Sequence, residues 1–300
     1  MNRQFLVSTL IIALGFLVRR YLIDERGAQA LVRLVFNVTL PALVIHTFDQ
    51  VTIEPSLALL PAIAVGYGLL MAAVGSLLLF RGRPRPERGQ LSMLLPGFNI
   101  GLFAYPLVEA ALGSGALRYL AMFDMGVAFV TFGVAYAVAG HFARQGQRLD
   151  LAYAGRQLLG SVPFVAYVLA LLLAAAQVHL PGPVLDAAGA LARANMPLSL
   201  LVLGMVLGYH SEPGRWRAIA EVLGARYLLG LGVGIALYAL LPFDATFRTI
   251  VLVCLVLPPP LITVSYAVQF GYDVRFVGLL LNVANVASYL LLWALFNVLR

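Results

Sequence analysis

Three polar residues that could act on a ligand lie inside apolar runs long enough to cross a membrane. The Asn99 amide, beside backbone N–H groups that a broken helix leaves free, can orient a carboxylate or an ion. Helix capping is the alternative role for Asn99. Asp124 at membrane depth indicates proton or ion coupling, with pairing to Arg118 as the alternative. Glu109 is either a second proton carrier or an interfacial charge.

The apolar run around Asn99 breaks the rules of an ordinary helix. Its segment Leu94–Leu107 holds Pro96 and Pro106, which each lack an N–H and clash with the preceding turn. Gly97 and Gly101 weaken the helix further. Backbone groups freed at membrane depth need partners in protein or in a water-filled cavity. We therefore expect a broken helix that faces the protein interior, with Gly101 and Pro106 at the substrate site beside the amide.

A second apolar run, Leu255–Gln269, is interrupted in the same way by three consecutive prolines at 258–260. Two interrupted spans in corresponding positions of two halves indicate a transporter binding site. We assign Pro259, Thr263 and Ser265 to this site. The two hydroxyl groups either contact the substrate or bond back to a carbonyl group one turn earlier.

The composition is that of an integral membrane protein. Of the 300 residues, 62% are hydrophobic and 11% are charged, whereas soluble domains carry about 25% charged residues. The net charge of +7 comes from 20 arginines, which in such a chain mark cytoplasmic loops and not contacts with nucleic acid. The single cysteine, Cys254, excludes an internal disulfide and a cysteine-based metal cluster. We expect no metal and no cofactor.

The hydropathy pattern predicts ten spans, each near the roughly 20 residues that cross about 30 Å of hydrocarbon. Arginines concentrate in the loops after the odd-numbered spans, which predicts that those loops are cytoplasmic and that both termini are extracytoplasmic. The segment Arg81–Arg88 is expected to be a loop and Pro181–Arg193 a linker. The spans are expected at Phe5–Val18, Ala30–Phe48, Ser56–Phe80, Gln90–Leu112, Ala116–Gly140, Leu158–Val178, Ala194–Tyr209, Ala218–Leu241, Thr246–Phe270 and Val274–Leu299.

A hydrophilic cytoplasmic linker at residues 141–157 divides one membrane domain into two sets of five spans, residues 1–140 and 158–300. Asn37 and Asn195 each lie shortly before a proline, and spans four and nine are both interrupted. Because five is odd, the second set enters the membrane from the opposite side, which makes an inverted repeat with the site near mid-membrane. The two asparagines cap or bridge the chain around their prolines, or contact the substrate.

The segment Asn99-Ile-Gly101-Leu-Phe-Ala104-Tyr-Pro106 resembles the Asn-x-Gly-x-x-Gly-x-Pro signature of the auxin efflux carrier family, with alanine in place of the third small residue. Residues 36–43 resemble the second span of that family, and residues 197–204 resemble its seventh. The likeness covers nearly the whole chain in order. The chain thus resembles the bacterial branch of this family, within the bile/arsenite/riboflavin-type transporter superfamily.

The resemblance implies an all-α integral membrane fold of ten transmembrane helices in two inverted five-helix repeats, whose broken helices four and nine cross at the site. It implies elevator-type secondary transport of small organic anions such as carboxylates. We expect coupling to H⁺ or Na⁺ and a location in the bacterial inner membrane, in contact with lipid. A homodimer would give such an elevator a stable base. Members commonly carry Asn just after the prolines of span nine, where this chain has Leu261, Ile262 and Thr263.

Three other function classes compete with a proton-coupled carrier. An intramembrane enzyme needs a nucleophile–base pair or metal ligands on facing helices, and the chain has no HExxH or GxSxG motif. It has no GxxxxGK[ST] loop for ATP either. A sodium-coupled carrier of the bile-acid type shares the broken-helix architecture by analogy. The third class is a sensor that kept the transporter fold but lost transport activity. The missing asparagine of span nine leaves this class open.

Overall fold

A computed structural model describes residues 2–49, 54–143, 150–207 and 215–299, and every regular element within these ranges is a helix. This confirms the prediction of an all-α membrane protein. The helices are α1 (Asn2–Tyr21), α2 (Glu25–Phe48), α3 (Pro55–Leu79), α4 (Arg85–Ser92), α5 (Ile100–Leu112), α6 (Ser114–Phe142), α7 (Leu151–Leu159), α8 (Val162–Ala175), α9 (Gly182–Val206), α10 (Trp216–Leu240), α11 (Ala245–Cys254), α12 (Ile262–Gln269) and α13 (Val274–Val298).

Among the described residues, seven helices are long and apolar enough to cross a membrane, namely α1, α2, α3, α6, α9, α10 and α13. The helices α7 and α8, which meet at a bend of 63°, make an eighth span if they are counted together. The shorter apolar helices α5 and α11 fall below the length that spans a bilayer alone. The predicted count of ten spans and the inverted repeat stay predictions.

Two predicted connections turn out to be partly helical. The expected linker Pro181–Arg193 is wrong, because α9 already begins at Gly182, with a proline in its first turn. The expected loop Arg81–Arg88 is wrong in its second half, because α4 begins at Arg85. A proline in the first turn lacks an N–H that would be unpaired there anyway, so it favours a helix start. Residues 144–149 of the predicted linker and 208–209 of predicted span seven lie outside the described residues.

The helices pack in two groups. In group one, α9 packs against α1 and α2, and α8 packs against α2. In group two, α6 packs against α3 and α4, α10 packs against α11, and α12 packs against α13. The helix α5 lies between the groups and contacts α1 and α9. The seam between the groups is where a cavity can open without breaking either group.

The helices α1 and α9 of group one contact each other backbone to backbone. A Cβ atom on Gly15 would lie 2.0 Å from the carbonyl oxygen of Leu201, and one on Gly204 would lie 1.9 Å from that of Ile12. These distances are far inside van der Waals contact, so only glycine fits at either position. Small residues let membrane helices approach closely enough for extensive dispersion contact.

The chain leaves helical geometry at residues 93–99, between α4 and α5, and at residues 255–261, between α11 and α12. These segments, here called break A and break B, contain the prolines at 96 and at 258–260. Gly97 in break A has φ +81°, a conformation that L side chains rarely adopt. A Cβ atom there would also lie 2.9 Å from the Thr131 hydroxyl oxygen. Whether the two breaks are crossing membrane spans stays a prediction.

Candidate functional site

Break A and break B contact each other directly. The backbone N–H of Asn99 donates to the carbonyl oxygen of Pro258 at 2.8 Å. The position of a Cβ atom on Gly97 lies 3.3 Å from the Pro260 ring. Two segments more than 150 residues apart in sequence thus share one hydrogen bond and one packing contact, and groups freed in one break find partners in the other.

A buried arginine of α10 joins the same two segments. The side chain of Arg226 is fully buried. Its Nε donates to the carbonyl oxygen of Leu257 at 2.9 Å, and its Nη2 donates to that of Gly97 at 2.6 Å. The guanidinium group also lies 4.7 Å from the ring centre of Phe98. The carbonyl oxygens that accept from it belong to Leu94, Leu95, Gly97 and Leu257.

A cavity of about 450 Å³ opens on the seam beside these breaks. Its walls come from α2, α6, α8 and both breaks, with the end of α7 and the starts of α5 and α12 at its edge. No arginine belongs to its lining among the described residues. Its polar lining residues are Asn37, Asn99, Asp124, Thr131, Gln157, Ser161, Tyr167 and Ser265, and Gly101 also borders it. Five predicted site residues therefore meet here: Asn37, Asn99, Gly101, Asp124 and Ser265.

The side chain of Asn99 does not cap α5, and its amide nitrogen is left without a partner within the described ranges. Asn99 precedes α5, but its side chain makes no capping hydrogen bond. The residue is 4% exposed, and its Nδ2 has no hydrogen-bond partner in the part of the chain that is described. A buried amide without a partner loses the free energy of a hydrogen bond. A ligand in the cavity would supply the missing acceptor.

Asp124 is bonded to a tyrosine and not to the arginine that the sequence offers. The Tyr167 hydroxyl of α8 donates to Asp124 Oδ2, and the hydroxyls of Tyr167 and Tyr105 lie 3.1 Å apart. Arg118 instead donates to the Tyr119 hydroxyl at 2.8 Å. The alternative of an Asp124–Arg118 pair is therefore wrong. The reason is directional, since Asp124 faces the seam whereas Arg118 lies near the turn before α11.

The two hydroxyl candidates after break B differ. The buried Thr263 donates to the carbonyl oxygen of Pro260 at 2.8 Å and does not line the cavity. Its contact is the local back-bond that such residues often make. Ser265 is exposed and lines the cavity. Pro259 is buried within break B, and Pro106 lies buried in the first turn of the α-helical part of α5; neither borders the cavity.

Asn195 and Glu109 lie away from the cavity lining. Asn195 is fully buried in α9 and accepts a hydrogen bond of 2.9 Å from the Thr39 hydroxyl of α2. It therefore bridges two helices of group one. Glu109 of α5 is partly buried, and its Oε2 atom has no hydrogen-bond partner within the described ranges.

The sequence reasoning missed two residues of this region. Arg226 lies in the middle of predicted span eight, and the rule that an intramembrane charge indicates function selects it as readily as Asp124. Tyr167 carries no comparable signal. It stands among apolar residues, where tyrosine is common, and its role depends on a partner 43 positions away.

A second, larger cavity of about 850 Å³ adjoins the first, since Val32 and Leu261 line both. Three arginines, Arg19, Arg20 and Arg275, and one carboxylate, that of Glu25, contribute to its lining, which leaves an excess of positive charge. Arg19 lies 4.0 Å from a carboxylate oxygen of Glu25. The larger cavity is therefore basic, whereas the smaller one carries only neutral polar groups and the carboxyl group of α6.

Comparison with known proteins supports the resemblance noted in the sequence. A family model described as "Membrane transport protein" matches residues 5–157, just over half of the chain and most of the cavity lining. No curated protein matches the chain at a significant level. Together with the apolar helices, this match shows that the chain is a multi-pass membrane protein that belongs to the membrane transport protein family of the auxin efflux carriers.

Proposed function

We propose that this protein is a secondary active transporter that moves a small organic anion of the carboxylate type by elevator-type alternating access, coupled to protons. The observation that carries the proposal is the seam cavity, where the unpartnered amide of Asn99 and the carboxyl group of Asp124 share one space. In this proposal the chain forms ten membrane spans in two inverted repeats, with breaks A and B inside spans four and nine.

The cavity favours a small anion with an apolar portion. Its volume of about 450 Å³ falls in the range of small-molecule sites. Phenylalanine rings at positions 36, 98, 132 and 164 border it, and apolar walls with a few polar groups are typical of such sites. The amide donor of Asn99 is where the carboxylate would bind, and the rings would pack against the rest of the molecule.

Proton coupling is proposed because the carboxylate of Asp124 and an anionic substrate would carry charge of the same sign in one cavity. An ionised Asp124 in the same cavity repels an anionic substrate, and that repulsion is strong where the dielectric constant is low. No arginine among the described lining residues pairs with the carboxylate. A protonated Asp124 removes the repulsion, so substrate and proton favour binding together. The hydroxyl of Tyr167 keeps the carboxyl group oriented toward the seam.

The basic second cavity fits delivery of an anion. Arg19, Arg20 and Arg275 lie around a space of about 850 Å³ that meets the seam cavity at Val32 and Leu261. A cleft with an excess of positive charge, as here despite Glu25, raises the local concentration of anions. We place the substrate's approach here and its binding in the smaller cavity.

Elevator motion fits the two-group packing. The cavity lies between group one and group two, so displacement of one group along the seam would move the bound anion relative to the other. Secondary transporters with discontinuous helices commonly expose their site in this way, by rigid movement of one bundle against another.

The test is uptake of labelled small carboxylates by proteoliposomes that contain the purified protein. We expect accumulation driven by an imposed pH gradient and unaffected by replacing potassium with sodium. Accumulation that follows the sodium gradient alone would favour the bile-acid type of carrier. Binding of a carboxylate without any accumulation would favour the sensor and overturn the proposal. Liposomes without protein control for passive diffusion of the protonated acid.

A further inference from the structure

We propose that breaks A and B together build a cation site and that the guanidinium group of Arg226 permanently fills it. The inference deepens the proposed function, because it concerns which ion this carrier needs. The protein would then carry, as part of its own chain, the positive charge that holds the two segments together.

The geometry is that of a cation site made from backbone oxygen atoms. Leu94, Leu95 and Gly97 of break A and Leu257 of break B all point their carbonyl oxygens at one guanidinium group. Interrupted membrane helices commonly use such unwound carbonyl groups to coordinate Na⁺. In this protein the oxygens converge on a side chain of α10.

The helix ends next to the site add to its preference for positive charge. The helix α4 ends at Ser92 and α11 ends at Cys254, immediately before the two breaks. The C-terminus of a helix carries a partial negative charge. Two such ends directed into one buried region repel each other unless a cation lies between them, and Arg226 lies there.

Arg226 has no carboxylate partner. No ion pair joins it to an acidic residue anywhere in the described ranges, so its charge is stabilised by backbone carbonyl dipoles and by the ring of Phe98. Dipoles stabilise the cation but carry no net charge, so one unit of positive charge remains at this position. The guanidinium group stacks on Phe98, and both Phe98 and its neighbour Asn99 line the seam cavity. The fixed cation thus lies just behind the cavity wall and favours an anion in front of it.

A filled site leaves no room for Na⁺ at the meeting point of the breaks. Sodium should therefore leave the stability of the wild-type protein unchanged beyond the effect of ionic strength. Removal of the side chain should empty the site and create a requirement for a small cation that the natural protein lacks.

The experiment measures thermal unfolding of purified Arg226→Ala in matched chloride salts of sodium, potassium and guanidinium, at millimolar guanidinium well below denaturing levels. We expect the unfolding temperature to fall by on the order of 10 °C, since several buried carbonyl groups lose their donor. Guanidinium should restore part of this loss in a saturable manner. The wild-type protein should not respond to it.

The matched control is Arg248→Ala. Arg248 donates to a single carbonyl oxygen, that of Tyr238, at 3.3 Å, and stacks on the same tyrosine. It should lose little stability and show no rescue by guanidinium. An Arg226→Ala protein with an unchanged unfolding temperature and no response to guanidinium would overturn the proposal.

If Arg226→Ala does not fold, the folding and the unfolding temperatures of Arg226→Lys and Arg226→Met test the proposal instead. Lysine keeps a charge and three donors, so the Arg226→Lys protein should fold and show an intermediate unfolding temperature. Methionine has a similar length but no charge, so the Arg226→Met protein should not fold. Equal behaviour of the two variants would overturn the proposal. Because unfolding is measured without substrate, failure of transport in vesicles would not count against this inference. Failure of the unfolding test would likewise not count against the proposed transport.

Discussion

The backbone N–H of Asn99 is bonded to the carbonyl oxygen of Pro258 at a distance of 2.8 Å. One residue lies in the first half of the chain and the other near its end, yet a single hydrogen bond connects them. The amide side chain of Asn99 therefore has its position fixed by break B as well as by break A. A change in either segment should alter ligand binding in the seam cavity.

Replacement of Asn99 by alanine should abolish most ligand stabilisation. We expect a carboxylate that raises the unfolding temperature of the wild-type protein to bind Asn99→Ala roughly 10- to 100-fold more weakly, the effect of about 1.5–3 kcal/mol for one lost hydrogen bond to a charged group. Thermal-shift titration with a panel of small carboxylates measures this, since stabilisation increases with ligand saturation.

The control for Asn99→Ala is Asn285→Ala. Asn285 of α13 is also 4% exposed and also carries a side-chain atom without a described partner. It borders a different cavity from that of Asn99. Its replacement should leave the titration unchanged. Equal loss of ligand binding in both variants would place the effect in general stability and not at the seam cavity.

Replacement of Asp124 by asparagine should separate substrate binding from proton binding. Asparagine keeps an oxygen that accepts from Tyr167 but cannot be ionised, so carboxylate binding should become independent of pH between about pH 5.5 and 7.5. Uptake should no longer follow an imposed pH gradient. The measurements are titration at several pH values and uptake by proteoliposomes.

Glu109→Gln is the matched variant for this test, because Glu109 is the other carboxyl group predicted to carry a proton and does not line the cavity. We expect it to retain uptake driven by the pH gradient. Loss of coupling in Glu109→Gln with normal coupling in Asp124→Asn would exchange the roles of the two residues.

Gly204→Ala should disrupt the contact between α1 and α9. The added Cβ atom would lie 1.9 Å from a backbone oxygen, so the helices must separate, at a cost of about 1–3 kcal/mol or more. Gly232→Ala in α10 is the control, because no atom beyond the adjoining backbone of its own helix lies within 4 Å of its Cβ position and alanine favours a helix. Thermal unfolding should show a loss for the first variant only; equal unfolding temperatures would contradict the close contact.

Asp244 should make stability depend on pH in the acid range. Its carboxylate accepts from the backbone N–H groups of Thr246 and Phe247 at 2.9 and 3.1 Å, and from the Tyr119 hydroxyl at 2.9 Å. Partial burial tends to raise the pKa of Asp244, but the hydrogen bonds from Phe247, Tyr119 and Thr246 and the charge of Arg118 lower it below 3.8 overall.

A lowered pKa means that the native state binds a proton less readily than the unfolded chain. The stability from Asp244 is therefore complete above the pKa of the unfolded chain, about 3.9, and is lost as pH falls through the native pKa. Asp244→Ala should unfold about 1–2 kcal/mol more easily at neutral pH, as expected for a lost helix cap. The two proteins should converge in acid; a difference that is constant with pH would contradict this.

The sequence predicts well what depends on local chemistry. Prolines at 96 and 258–260 lie where the chain leaves helical geometry, as expected of residues that lack an N–H and clash with the preceding turn. Asn99 and Asp124 stand out because polar groups are rare in apolar runs, and both line the cavity. The start of α9 at Gly182 was missed because the weakly apolar first turns of this helix look like a linker when taken alone.

Partners that are distant in sequence could not be predicted. Tyr167 meets Asp124 only because α8 of group one packs beside α6 of group two. Arg226 was visible as an intramembrane charge, but nothing near it in sequence indicates that its acceptors are backbone oxygens 31 to 132 positions away. Such contacts depend on helix packing, which a single sequence does not contain.

The glycine contact between α1 and α9 also limits how the molecule can move. At Gly15 and Gly204 a carbonyl group fills the space of an absent side chain, so neither helix can slide or turn without a backbone collision. In the proposed change of access, these two helices would therefore act as a fixed frame. The opposite edge is held more lightly, where Tyr167 bonds across the seam to Asp124 and Tyr105. Substrate release would then require the breaking of a few hydroxyl contacts, while the frame keeps its shape.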